Sequence, residues 1–270
     1  MGKFEGFVLC SDIDGTLLDD SHKIHPENIK AIEYFRKNGG KFTFASGRTR
    51  PSVERIAREI EHDFPAIVSN GCAICDFRHN GEYLWSIPLS DNAEVFARKI
   101  LSEYPECALG IVNEEGTYFL SDNKTSLEYS KIEKLPHLNG TFETVEKPWL
   151  KMLFCQDEKT TAMLWESYGN SKWCEEFKIV HSGKEYFEYF DVSANKGVAL
   201  KQLAKMYGFS LDNTIAIGDN GNDTEMIAAV KYGATLDNGE ECAKKVARIT
   251  TVSNNQGAVA DLIYKLEAML

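Results

Sequence analysis

Twelve residues near the N-terminus, FVLCSDIDGTLL at positions 7–18, constrain the fold of this chain more than any other stretch. An apolar run from Phe7 to Cys10 ends abruptly in Asp12-Ile13-Asp14-Gly15-Thr16. That pattern reads as a buried strand of a parallel sheet, delivering two carboxylates at its C-terminal tip and then turning at a glycine. In an open α/β sheet the carboxyl ends of the strands are where ligands bind. Two acids placed there repel each other unless a cation is bound or one of them holds a proton. An Asp-Gly turn would by itself account for the pair. A calcium loop would not, because its twelfth position falls on Lys23 and its sixth on Leu17, where a glutamate and a glycine are required.

Three later stretches repeat the theme of chemistry at a strand end. Residues 26–38 have helical periodicity (Ile29, Ile32, Phe35) with Pro26 at the start, closed by Gly39-Gly40. A short strand, 41–45, then runs into Ser46-Gly47-Arg48, ahead of a helix at 51–61. A hydroxyl and a backbone turn there suit a phosphate, and equally a plain helix cap. Residues 66–69 read as a third strand followed by Asn70-Gly71, a hairpin dipeptide. Near the C-terminal side, Asn195-Lys196-Gly197 opens a helix over 197–207. Strand 214–217 ends in Gly218-Asp219-Asn220-Gly221-Asn222-Asp223.

The stretch in between breaks the rhythm. Amphipathic helices at 91–104 and 157–172 alternate with a hairpin over 109–120, strands at 149–155, 177–180 and 186–191, and a polar, weakly patterned segment at 121–147. Its aromatics, among them Trp85, Trp149, Trp165, Trp173, Tyr186 and Phe187, are expected mostly in a core. The chain is therefore read as α/β: a doubly wound, Rossmann-like parallel-sheet core at residues 1–84 and 188–270, with a smaller α+β domain inserted at 85–187.

Composition narrows the class of function. The 270 residues carry a formal charge of −11, which argues against nucleic acid or an anionic membrane surface as a partner. An anionic substrate would then need a metal or local positive charge. Apolar content of 43% and charged content of 26% are those of a soluble globular chain. No run spans a bilayer, and MGKFEGF lacks a signal-peptide plan. Seven cysteines without a framework fit reduced thiols in the cytoplasm. The one C-x-x-C, Cys72 to Cys75, has no second pair to complete a zinc site and reads as strand.

Gathered in order, the strand ends carry an acid pair, a hydroxyl, a lysine and a second acid cluster. Converging carboxylates suit a hard, oxygen-binding cation such as Mg²⁺. A metal and a lysine would neutralise the approach of a carboxylate to a phosphate dianion. Such a carboxylate can attack phosphorus, while a neighbouring acid protonates the leaving alcohol.

DIDGTLL, FASGR, the NKG lysine and IAIGDNGND, in this order, resemble the four motifs of the haloacid dehalogenase superfamily of phosphohydrolases. The insert's position resembles the type IIB cap of the Cof-like sugar-phosphate phosphatases. The resemblance implies Asp12 as nucleophile and Asp14 as general acid and then base, with Lys196 as the third catalytic group. It implies Ser46, Gly47, Arg48, Thr16, Asn70 and Asn222 around the phosphoryl group, and Mg²⁺ held by Asp12, Asp14 (through its backbone carbonyl), Asp219 and Asp223. Where relatives read AMGNA, this chain has ATLDNG at 234–239, so substrate preference does not carry over. The function expected is hydrolysis of a small phosphorylated metabolite, a sugar phosphate, by a cytoplasmic monomer or weak dimer. A phosphomutase or phosphotransferase of the same architecture and a non-catalytic phosphate-binding protein are the alternatives.

Overall fold

Val8–Ser11 lies at the heart of a five-stranded sheet, with all four of its residues buried. The computed structural model describes residues 2–270. Across the sheet the strands run Ile249–Thr251, Tyr232–Leu236, Thr214–Ile217, Val8–Ser11, Lys41–Phe44, and every pairing is parallel. From Val8–Ser11 the chain moves to one side through helix Pro26–Lys37. It later returns on the other side through helix Lys196–Tyr207. The order therefore reverses between Val8–Ser11 and Thr214–Ile217, where a doubly wound sheet opens its ligand crevice.

Continuous apolar runs make these strands because both faces are covered. Helices Pro26–Lys37 and Ala258–Met269 pack together, the first burying Ala31, Ile32 and Phe35 and the second Val259, Leu262, Ile263 and Leu266. The segment expected as a third parallel strand behaves differently. Ala66–Val68 pairs antiparallel with Ala73–Asp76 in a three-stranded ribbon completed by Glu82–Ser86. A single parallel bridge, Ala45 to Ile67, ties that ribbon to the main sheet.

The chain divides into two compact units. The first comprises Met1–Arg48, Val53–Leu84 and Asn195–Leu270; the second comprises Trp85–Ala194 with Thr49–Ser52. The boundary expected at 187/188 falls inside strand Tyr186–Asp191, which pairs with Lys151–Cys155 and with Phe177–Gly183. Splitting that strand would break two ladders, so the unit continues to Ala194.

The second unit holds a six-stranded sheet in the order Phe177–Gly183, Tyr186–Asp191, Lys151–Cys155, Ala108–Val112, Thr117–Phe119, Leu138–Asn139. Helix Asn92–Glu103 buries Ala93, Phe96, Ala97 and Ile100 at helical spacing. Helix Glu158–Tyr168, capped by Asp157, buries Thr160, Thr161, Leu164 and Tyr168. Both contribute to one aromatic-rich core with Met152, Phe154, Phe187 and Tyr189. Trp149 and Phe187 belong to that core, whereas Trp165 remains 41% exposed. The weakly patterned segment contains a helix, Lys124–Ile132, closed at its start by a reciprocal cap between Asn123 and Ser126. Among the described residues, no helix is long and apolar enough to cross a membrane.

Phe96 centres the aromatic core, with ring centroids at 4.5 Å from Trp173, 4.8 Å from Tyr189 and 5.1 Å from Tyr168. All four tryptophans lie in the second unit, so their fluorescence reports on that unit alone. Phe96→Ala should lower its unfolding free energy by about 3–5 kcal/mol in a urea titration followed by tryptophan emission. An unchanged midpoint would mean that Phe96 does not hold this core.

Candidate active site

The pairing of the two central strands extends one residue past their ends, where Asp12 N–H donates to Ile217 O at 2.9 Å. Asp12 thus leaves the sheet at a fixed height, beside the end of the neighbouring strand. The chain then folds through the short turn Ile13–Leu17, with Gly15 at φ +73°. A β-carbon there would lie 2.7 Å from Asp219 Oδ2, so both conformation and space demand glycine. Thr16 Oγ1 donates to Asp219 Oδ1 at 2.7 Å and joins the turn to the second acid cluster.

Lys196 enters from the first turn of its helix, capped by Asn195 Oδ1, which accepts from Val198 N–H at 2.8 Å. Its side chain is fully buried. Nζ donates to Asp12 Oδ1 and to Asp223 Oδ1, each at 2.6 Å. Asp223 Oδ2 accepts from the backbone N–H groups of Asp219 and Asn220, each at 3.1 Å. Both oxygens of Asp223 are therefore engaged. Gly218 makes room for that carboxylate, since a β-carbon would meet its Cγ at 2.2 Å.

Asp12, Asp219 and Asp223 each bring a carboxylate oxygen within 4.8 Å of the others. Burial alone would pull the Lys196 ammonium down, but Asp12 and Asp223 overcome it and hold the group charged above its ordinary range. Burial pushes the Asp12 carboxyl up, opposed by Lys196 and reinforced by Asp223 and Asp219. Asp219 is raised to about 6, chiefly by burial, with Thr16 pulling the other way. Three carboxylates around one ammonium leave excess negative charge, which a divalent cation would balance. Among the described residues Asp12 Oδ2 and Asp219 Oδ2 accept no hydrogen bond. Two open carboxylate oxygens match the one or two that Mg²⁺ takes beside water and phosphate. The donor set fits that ion.

A second hydrogen-bonded group flanks the acids. Ser46, buried, accepts from Arg48 N–H at Oγ (3.1 Å), and its carbonyl accepts from Asn70 N–H at 3.0 Å. The Ser46 hydroxyl proton is left available to an anion. Asn70 Oδ1 accepts from Asn222 Nδ2 at 2.9 Å. Gly47 passes so close to Asn70 Oδ1 that a β-carbon would approach it to 2.7 Å. Ser69 and Asn70 are both left-handed, at φ +51° and +58°. Non-glycine residues in that region carry strain, and such strain concentrates at functional sites. Gly71, at φ +91°, lies against the Asn195 backbone and thereby against the start of the Lys196 helix.

Asp14 stands apart from the three clustered acids. Arg48 grips its carboxylate with both prongs, Nε to Oδ2 at 2.7 Å and Nη2 to Oδ1 at 2.6 Å. Its side chain is thus not a member of the metal-sized cluster, and a metal contact from this residue falls to its backbone carbonyl. The divergent segment at 234–239 braces the acid loop. Thr235 Oγ1 donates to Gly218 O at 2.8 Å, and Glu240 N–H donates to Asp219 O at 2.7 Å. Sequence reasoning did not single out Asn195 or Gly218, although an Asn before a helix start is a readable cap. Cys10, beneath the site, is buried with its thiol pushed up to about 12, and so is inert.

A family model described as haloacid dehalogenase-like hydrolase matches residues 9–263. The chain belongs to that family. A hydrolase of Schizosaccharomyces pombe is 30% identical to it over 96% of this chain and 90% of its own length. YcsE of Bacillus subtilis, named a 5-amino-6-(5-phospho-D-ribitylamino)uracil phosphatase, is 26% identical over 95% of this chain and 94% of its own. Among solved structures, a Thermotoga maritima protein superposes with a TM-score of 0.83 at 21% identity, covering 96% of this chain and 97% of that one.

In a member of the family built this way, Lys196 is the only cation on two buried carboxylates. Lys196→Met should cost about 3–5 kcal/mol of unfolding free energy in metal-free buffer, because it leaves buried charges uncompensated. Urea unfolding measures it, and a loss below about 1 kcal/mol would show that the acids do not depend on the lysine.

Proposed function

We propose that this hydrolase is a Mg²⁺-dependent phosphatase acting on a small phosphorylated metabolite, a sugar or polyol phosphate, through an aspartyl-phosphate on Asp12. The observation that carries the reading is the buried meeting of Asp12, Lys196, Asp223 and Asp219 at the switch point of the parallel sheet. The name of YcsE supports the substrate class, since the compound it names is a phosphorylated ribityl chain.

The reaction follows from the groups in place. A phosphate ester binds with its phosphoryl group at the Ser46–Gly47–Arg48 turn and near Asn222. Lys196 holds Asp12 by one oxygen and leaves the other to attack. Asp12 Oδ2 forms a bond to phosphorus as the bond from phosphorus to the leaving oxygen breaks. Asp14 gives its proton to that oxygen, so that a neutral alcohol departs. Water then attacks the phosphoryl group and Asp14 takes up its proton. The Asp12–phosphorus bond breaks, which releases inorganic phosphate and restores the carboxylate. Mg²⁺, held by Asp12 and Asp219 with the Asp14 carbonyl, would offset the repulsion between carboxylate and phosphate dianion.

Arg48 adds a condition. Its two-pronged grip keeps Asp14 away from this work, so the guanidinium has to yield it when substrate arrives. A phosphate dianion at the adjoining turn is the competing anion. We also place the enzyme in the cytoplasm, a location supported by its seven free cysteines, five of them buried.

Inorganic phosphate release from a panel of sugar and polyol phosphates tests the reading. Wild type with Mg²⁺ should turn over at least one member of the panel. EDTA should abolish that turnover, and Asp12→Asn should lower it by about a thousandfold or more. No release by the metal-loaded wild type from any member would overturn the proposal.

A further inference from the structure

One buried charge pair, in the second unit, has no part in the chemistry above. Strands Ala108–Val112, Lys151–Cys155 and Tyr186–Asp191 run side by side, and their residues alternate between two faces. Met152, Phe154, Phe187 and Tyr189 fill the aromatic core on one face. Lys151 and Glu188 stand on the other, 2% and 4% exposed, with Lys151 Nζ donating to Glu188 Oε1 at 3.0 Å. Glu188 Oε2 is buried and accepts no hydrogen bond. Thr117 is paired with Val112, which is paired with Lys151, so it shares their face two strands away, roughly 10 Å along the row. Its Oγ1 is likewise buried without a partner.

Stability does not explain this arrangement. Well-packed apolar side chains of the same volume are generally as stabilising as a buried ion pair, or more so. An orphaned acceptor and an orphaned hydroxyl on the same face add a desolvation cost with no return. The neighbours are apolar: Val112 lies between Thr117 and Lys151, and Phe190 is opposite Lys151 on its other side. The row is an apolar floor with three polar groups placed along it.

We infer that Lys151, Glu188 and Thr117 recognise a neutral, polyhydroxylated group, the organic part of the phosphorylated substrate; this rests on the phosphatase reading above. A vicinal diol supplies what the pair lacks, because one hydroxyl donates to Glu188 Oε2 while its neighbour accepts from Lys151 Nζ. Both are charge-assisted hydrogen bonds. Thr117 Oγ1 can donate to a further hydroxyl or accept from it. The ion pair is neutral overall, and Glu188 would repel a second phosphate. The site therefore favours sugar or polyol monophosphates over bisphosphates. Because the groups are buried, the ligand reaches them through an opening movement.

The test compares a hexose 6-phosphate with p-nitrophenyl phosphate, which carries no hydroxyls, in wild type, Glu188→Gln and the apolar double variant Lys151→Met/Glu188→Leu. The ratio of kcat/KM for the hexose phosphate over the aryl phosphate should fall about tenfold or more in both variants, mostly through KM. A ratio unchanged in folded variants would overturn the inference, because a purely structural pair affects both substrates alike. If Glu188→Gln fails to fold, the double variant, which leaves no buried charge unpaired, supplies the comparison. If wild type releases phosphate from neither ester, the phosphatase reading fails. Calorimetric binding of the same hexose phosphate then decides this inference: about tenfold weaker binding in the double variant supports it, and equal binding overturns it.

Discussion

One ammonium group, Lys196 Nζ, sits 2.6 Å from an oxygen of Asp12 and 2.6 Å from an oxygen of Asp223 in a site closed to solvent. Neither carboxylate could be buried there alone, because the cost of desolvating an unpaired charge exceeds what packing returns. Much of the first unit can be understood as making that meeting possible. Parallel pairing of Val8–Ser11 with Thr214–Ile217 brings two strand ends together, one leading into Asp12 and the other into Gly218-Asp219. Asn195 fixes the first turn of the helix that carries the lysine. Glycines at 15, 71 and 218 stand where a β-carbon would collide with Asp219, with the Asn195 backbone and with Asp223.

The electrostatics explain how a chain of charge −11 can receive an anion. The acids are concentrated around a single lysine, and the excess negative charge invites a cation instead of repelling the substrate outright. Asp223 is fully used as an organiser, with Lys196 on one oxygen and two backbone donors on the other. Asp12 and Asp219 keep an oxygen each for other work. Asp14 and Arg48 form a separate, more exposed pair, so the acid of the proposed mechanism is held apart from the buried cluster.

The sequence motifs made the parallel core and most of the candidate site legible, because each signal combined an apolar run with chemistry at its end. Asp12, Lys196, Asp219 and Asp223 meet as their strand and helix ends indicated. Elements held by other means were harder to see. Helix Lys124–Ile132 buries Thr125, Ser126 and Ser130, so hydrophobic periodicity is faint, and its clearest mark is the Asn123 cap. Ala66–Val68 has the composition of a parallel strand, but the left-handed turn at 69–71 sends it into an antiparallel ribbon. The pairing of Asp14 with Arg48 leaves no local trace, since 34 residues separate them. Lys151 and Glu188 were invisible for the same reason: only the register of two strands puts them side by side.

The central claim is that the lysine-held Asp12 is the group that takes the phosphoryl. Rapid quenching of wild type during turnover of a ³²P-labelled sugar phosphate, followed by peptide mapping, tests it most directly. The account predicts acid-stable, base-labile label on the peptide containing Asp12. Label on a different residue, or turnover with no protein-bound label at any quench time, would contradict it.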